Sequence, residues 1–258
     1  MNYFQNDFGQ PYQLFQVSYQ TPKIKQTDDL KLAIQMLIGD LEQSINKTQA
    51  ITLLTQKYNI KRRRLYDVIN VFSSIGCCNK SGLDHLVWYG KNMLGAKLEQ
   101  LKEKFQVHNK EMTLQELFPI SGCIGISNLT VCFLLLFFAL KTNRLDLRFV
   151  GNLFSRQTSR YKTTLCKLYQ ISYILGSIGI TNRTNQVCEV VLNDPYYNEN
   201  IVPDEEDDKT ENVNPFSISS LLNKPEKPNQ IEKYISDRRK EFKDLFIQSI
   251  SSKSIIMP

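Results

Sequence analysis

Residues Lys61 to Gly90 read KRRRLYDVINVFSSIGCCNKSGLDHLVWYG, and this stretch decides the fold. Four cations, Lys61, Arg62, Arg63 and Arg64, run directly into a pattern in which Leu65, Val68, Ile69 and Phe72 recur every three to four residues, the period of a helix with one apolar face. Gly76 stops that helix, because glycine accepts the left-handed backbone of a helix end. Two short β-type runs follow, Cys77-Cys78 and Leu86-Val87-Trp88-Tyr89, separated by the polar turn Ser81-Gly82-Leu83-Asp84. A basic helix followed by a hairpin is the recognition helix and wing of a winged helix. Such a helix fits the DNA major groove, where arginine reads guanine O6 and N7 with a planar fork.

The residues of the helix carry a family resemblance. Arg63-Arg64-Leu65-Tyr66-Asp67 followed by Asn70-Val71 resembles the RRxYDxxNV signature of the E-two-factor/DP family of cell-cycle winged-helix transcription factors. Ile75-Gly76 and His85-Leu86-Val87-Trp88-Tyr89-Gly90 are similar to that family's end-of-domain pattern. The resemblance implies a nuclear protein that binds a GC-rich duplex and regulates cell-cycle genes. It implies that Arg63 and Arg64 read guanines while Tyr66 and Asp67 brace the helix; Lys61 and Arg62 are better placed for phosphates.

Upstream, Thr27 to Gly39 predicts a first helix, capped by Thr27 or Asp28, with Leu30, Ala33, Ile34, Leu37 and Ile38 on one face. A second helix is expected over Lys47 to Tyr58, using Ala50, Ile51, Leu53 and Leu54. Asn59-Ile60 turns the chain into the recognition helix. These elements make a winged-helix domain over residues 27–90, whose core Trp88 and Tyr66 help to close. Residues 1–26, rich in Gln, Asn and aromatics, read as a flexible arm, although Tyr3, Phe4, Phe8, Tyr12, Phe15 and Tyr19 leave docking on the body or on a partner equally open.

Residues 91–126 read as a helical connector, with Ala96, Leu98, Leu101 and Phe105 inward and Lys91, Lys97, Lys102 and Lys104 on the wet side. Met112, Leu114, Leu117 and Phe118 suggest one further turn of helix. Val131 to Leu140, VCFLLLFFAL, is apolar all round yet about half the length needed to span a bilayer, so it reads as a buried core helix and no membrane partner is expected.

The chain then repeats itself. A shift of 103 residues carries Leu65-Tyr66 onto Leu168-Tyr169, Ser74-Ile75-Gly76 onto Ser177-Ile178-Gly179, and Asn79-Lys80 onto Asn182-Arg183. Asn128 to Lys141, Leu145 to Phe154 and Val187 to Leu192 fit the first helix, second helix and last wing strand of a second winged helix at 127–194. A tandem pair resembles the atypical branch of the family, whose two domains pair within one chain. Typical members pair instead with a DP protein, and a DP-like or other protein partner, held by the winged-helix faces or by the C-terminal helix, is a further expectation. The second copy departs from the signature: Cys166 and Lys167 replace the two arginines, Gln170 the aspartate and Tyr173 the asparagine. An ammonium lacks the planar guanidinium fork, so base reading by this copy is in doubt. Phosphate contact by Arg160, Lys162 and Lys167, beside Tyr169, is expected at even odds with a purely structural role.

Residues 195–228 read as an acidic, polar linker containing an apolar island, Pro215 to Leu222. Residues 229–251 predict an amphipathic helix, with Ile231, Tyr234, Ile235, Phe242, Leu245, Phe246 and Ile250 as its stripe, lying either on the tandem domains or on another protein. The fold class expected is mainly α with small β-wings: two tandem winged helices and a C-terminal helix. Net charge is +6, which permits a polyanionic partner, here double-stranded DNA. The six cysteines form no C-x-x-C pair and there are two histidines, so neither a metal nor another cofactor is expected. No secretory leader opens the chain, so reduced thiols are the expectation. With no phosphate loop, H-E-x-x-H or nucleophile elbow, no enzyme is read. The alternative is an architectural subunit of a nuclear complex that holds DNA loosely.

Overall fold

The computed structural model describes residues 26–197 and 230–254. The N-terminal arm at 1–25, the side chains of Thr27, Asp28, Ile231 and Ile250, and the acidic run and apolar island within 198–229 lie outside the described residues.

Helix α1 (Gln26–Glu42) leads into strand β1 (Thr48–Ala50), α2 (Ile51–Lys57) and α3 (Arg62–Ser74), then strands β2 (Cys78–Ser81) and β3 (His85–Trp88). The connector holds α4 (Met93–Lys104), the single-turn α5 (Leu114–Leu117) and a 3-10 turn at Ile120–Cys123. Then the order recurs: α6 (Ile126–Ala139), β4 (Arg144–Asp146), α7 (Leu147–Ser155), α8 (Tyr161–Ser177), β5 (Thr181–Arg183) and β6 (Glu189–Leu192). Each half has one antiparallel sheet with its last strand in the middle, β1-β3-β2 and β4-β6-β5.

The expected second helices at Lys47–Tyr58 and Leu145–Phe154 are therefore corrected in the same way. Their first residues pair as short strands, Thr48 with Val87 and Arg144 with Val191, before each helix begins. Leu53 does not belong to the apolar face, being 64% exposed, and Ala96 is exposed as well. Tyr66 is half-buried and reaches the wing; Phe72 instead closes on Trp88 edge to face at 5.5 Å. Val187 precedes its expected strand and is exposed.

The ends of α3 and α8 match. Gly76 and Gly179 both take positive φ, +79° and +77°. The next amide folds back each time, Cys77 onto the Phe72 carbonyl and Ile180 onto that of Leu175, both at 3.0 Å. Helix α6 packs against α3, α4 and α8, which explains a helix apolar on every side. Helix α1 packs on α8 as α3 packs on α6, and α3 also meets α8. Lys102, expected in water, is buried: its ammonium bonds Glu99 at 2.7 Å and lies 4.6 Å above the Phe138 ring. The linker expected from residue 195 begins later, because Tyr197 is buried and stacks on Phe138.

The C-terminal helix, Gln230–Ser254, lies on α7 and α5. Phe149 of α7 meets Phe242 at 5.7 Å and stacks on Phe246 at 3.9 Å between ring centres. Arg238 is buried and donates to the carbonyls of Val107, Asn109, Met112 and Ala139. Desolvation pushes its pKa down, while five donors over four carbonyls satisfy the fork. Arg239 donates to the Leu140 and Lys141 carbonyls beyond the end of α6, where positive charge is favoured. Glu241 accepts from the Leu114 amide at the start of α5. Replacing Phe242 and Phe246 by Asp is expected to lower the thermal midpoint of the full chain, at about 2 kcal/mol for each half-buried ring removed. A melt followed by circular dichroism measures it.

Candidate nucleic-acid interface

Helix α3 is buried through Leu65, Val68, Ile69, Val71 and Phe72, and this fixes which way its cations point. Lys61, at the N-cap, and Arg62, Arg63 and Arg64 in the first turn are all exposed. They are not equivalent. Arg62 is drawn back onto the fold: its Nη2 lies 3.2 Å from Asp84 Oδ1 and 3.3 Å from the Tyr66 hydroxyl, and its Nη1 is 3.4 Å from Thr52 Oγ1. The Tyr66 hydroxyl bond raises the guanidinium pKa further. The expected phosphate contact by Arg62 is thus replaced by a junction between α3, α2 and the wing. Arg64 pairs with Asp67 at 3.6 Å. Lys61 and Arg63 have no hydrogen-bond or ion-pair partner among the described residues.

Tyr66 pins the helix to the wing by donating to the Leu83 carbonyl at 3.2 Å. Lys80 of β2 lies 4.9 Å from its ring and donates to Asn70 at 2.7 Å. Asp84 is the residue that sequence reasoning missed. Helix α2 opens on Ala50, which has no capping side chain, and Asp84 supplies the cap from the wing loop. Its carboxylate accepts from the Thr52 amide at 3.3 Å and the Thr52 hydroxyl at 2.9 Å, and its backbone carbonyl accepts from Ile51. A cap distant in sequence has no local signature, unlike Asp146, which caps α7 from the adjoining position.

The second half has the same frame with other side chains. Tyr169, in the place of Tyr66, meets Cys188 Sγ at 2.7 Å beside β6. Lys167, in the place of Arg64, donates to the Ile124 carbonyl at 2.7 Å and is committed to the connector. Arg160 and Lys162 are exposed at the start of α8, as is Cys166. Gln170, in the place of Asp67, donates from Nε2 to Asp67 Oδ2 at 2.5 Å.

No helix of the described residues is long and apolar enough to cross a membrane, and no group of His, Cys, Asp and Glu among them is set to hold a metal. A helix with one face in the core, bare arginines on the other and a wing pinned to it defines a winged-helix DNA-binding protein. Residues 23–90 match the E-two-factor/DP family winged-helix DNA-binding domain, and this part of the chain is a member of that family of transcription factors. The chain is also similar to an E-two-factor-like transcription factor, E2FD, of Arabidopsis thaliana, with 40% identity over 48 residues. The match covers 19% of this chain and 13% of the relative's length.

The Thr52 bonds hold the Asp84 carboxyl below its ordinary range. The cap is therefore present above the unfolded value and lost as pH falls through the lower folded one. Acidification below roughly pH 4, the ordinary Asp value being about 3.9, is expected to speed hydrogen exchange at the Thr52 amide. Asp84→Ala is expected to give that fast exchange at neutral pH.

Proposed function

We propose that the chain is a nuclear, sequence-specific regulator of transcription that binds double-stranded DNA with α3 in the major groove. The observation that carries this reading is the outward face of α3, where Arg63 and Arg64 stand exposed on an E-two-factor/DP-family helix whose opposite face is buried. Arg63 has no partner among the described residues to give up, and Arg64 must loosen only a 3.6 Å pair that is half in water. Guanidinium forks at the start of a recognition helix favour guanine, so the site is GC-rich, and by the family's habit the target genes are those of the cell cycle.

Residues 127–194 are the second winged helix of this reading, and the two halves pair within the chain. Reciprocal packing of α1 on α8 and α3 on α6 supports that pairing, because it is the pattern of an isologous two-fold interface. The second half lacks the forks. Its Arg160 and Lys162 contribute charge, whereas Lys167 is held by the connector. It therefore adds affinity without base discrimination.

Selection of binding sites from random duplexes is expected to yield one sharp GC half and one degenerate half; two equally sharp halves, or none, would sink the reading. Replacing Arg63 and Arg64 together by Ala is expected to reduce the preference for the selected site over scrambled DNA to near unity with the melt unchanged, each fork being worth about 1–3 kcal/mol of discrimination. Arg160→Ala is expected to weaken binding on all sequences alike and to lower the salt slope by roughly one contact.

A further inference from the structure

Asp67 and Gln170 stand 103 residues apart, the length of the internal repeat, and they bond to each other. A two-fold rotation brings a position against its own counterpart only beside the axis. The pair therefore marks the local axis between the halves, consistent with the reciprocal packing of α1 on α8 and α3 on α6.

What meets at that axis is asymmetric. Asp67 Oδ2 accepts from Gln170 at 2.5 Å and is the same oxygen that pairs with Arg64 at 3.6 Å. The carboxylate is half-buried and the arginine is not. An aspartate at 170 would set two carboxylates face to face, and like charges at that distance resist joint ionisation. The cation that would relieve them is missing, since position 166 is Cys and Lys167 is turned to the Ile124 carbonyl. Gln170 removes the repulsion and supplies a donor instead. The altered residues of the second copy thus form one set.

We propose that Gln170 is a positioning residue for DNA reading: the second half holds Asp67 across the axis, and through it Arg64, so that it shapes base discrimination without touching a base. This rests on the reading of α3 as the base-reading helix. Gln170 fixes the carboxylate from behind, and Arg64 then leaves the first turn of α3 from a defined side. The coupling is energetic and local, carried by one oxygen shared between two donors.

The test uses the full chain and three variants, with two readouts: the thermal midpoint, and the ratio of affinities for the selected and a scrambled duplex. Gln170→Met keeps size and loses the donor; it is expected to lower the ratio by roughly five- to tenfold, the scale of a hydrogen bond to a charged group. In an Arg64→Ala background the same change should leave the ratio where Arg64→Ala alone puts it, because coupling through Arg64 is the proposal. Asp67→Asn keeps an acceptor for Gln170, so it folds, and its ratio should fall as for Gln170→Met. If Gln170→Met lowers the midpoint but retains the wild-type ratio, or if its effect persists without Arg64, the proposal is overturned and Gln170 merely glues the halves. If Gln170→Met does not fold, Asp67→Asn decides: an unchanged ratio overturns the proposal. A wild-type chain with no preference for any duplex would instead defeat the underlying reading of α3.

Discussion

Helix α6 imposes the constraint on which the rest depends. Leu129 through Ala139 are all buried, including Phe133, Leu134, Phe137 and Phe138. A helix with no polar face has no side to offer water, and it must be enclosed. Transferring even one such side chain back to water costs about 1.5–3 kcal/mol. The enclosure is built from α3 on one side, α4 and the connector on another, and α8 on a third. Neither half can be taken away without baring α6, so the first domain, the connector and the repeat form one packed body. The C-terminal helix completes it, since Arg238 and Arg239 tie down the carbonyls where α6 ends.

How much of this the sequence tells depends on how local each signal is. Helix α3 and its glycine stop are written in consecutive residues, and α6 announces its burial by composition alone. The repeat is legible because side chains at the ends of α3 and α8 must make the same left-handed turn. Strands β1 and β4 are not legible. Each has three residues, TQA and RLD, and each is a strand only because the last wing strand lies beside it. Read forwards, both merge with the helix that follows. Lys102 is missed for a similar reason: its position on α4 repeats like a surface lysine, but the Phe138 ring covers its stem and receives its charge.

The candidate interface shows the same division. The run of four cations is plain in the sequence, yet their separate tasks are not, because the partners that separate them come from elsewhere. Asp84 arrives from the wing loop to take Arg62, and Gln170 arrives from the other half to take the carboxylate beside Arg64. Lys167 looks like a spare cation until the connector carbonyl at Ile124 is brought against it. A charge counted along a chain is only available charge; the fold decides which charges are spent on itself.

The connector has a consequence for how the halves meet. Because residues 91–125 join them, their encounter is intramolecular, with an effective concentration in the millimolar range for a short tether. Dilution cannot part them and no second chain competes for the face. Association with a target is then first order in this one polypeptide, with a titration curve of unit slope. A factor assembled from separate subunits responds to the abundance of each; here the response is proportional to a single chain, down to the lowest copy number at which it is made.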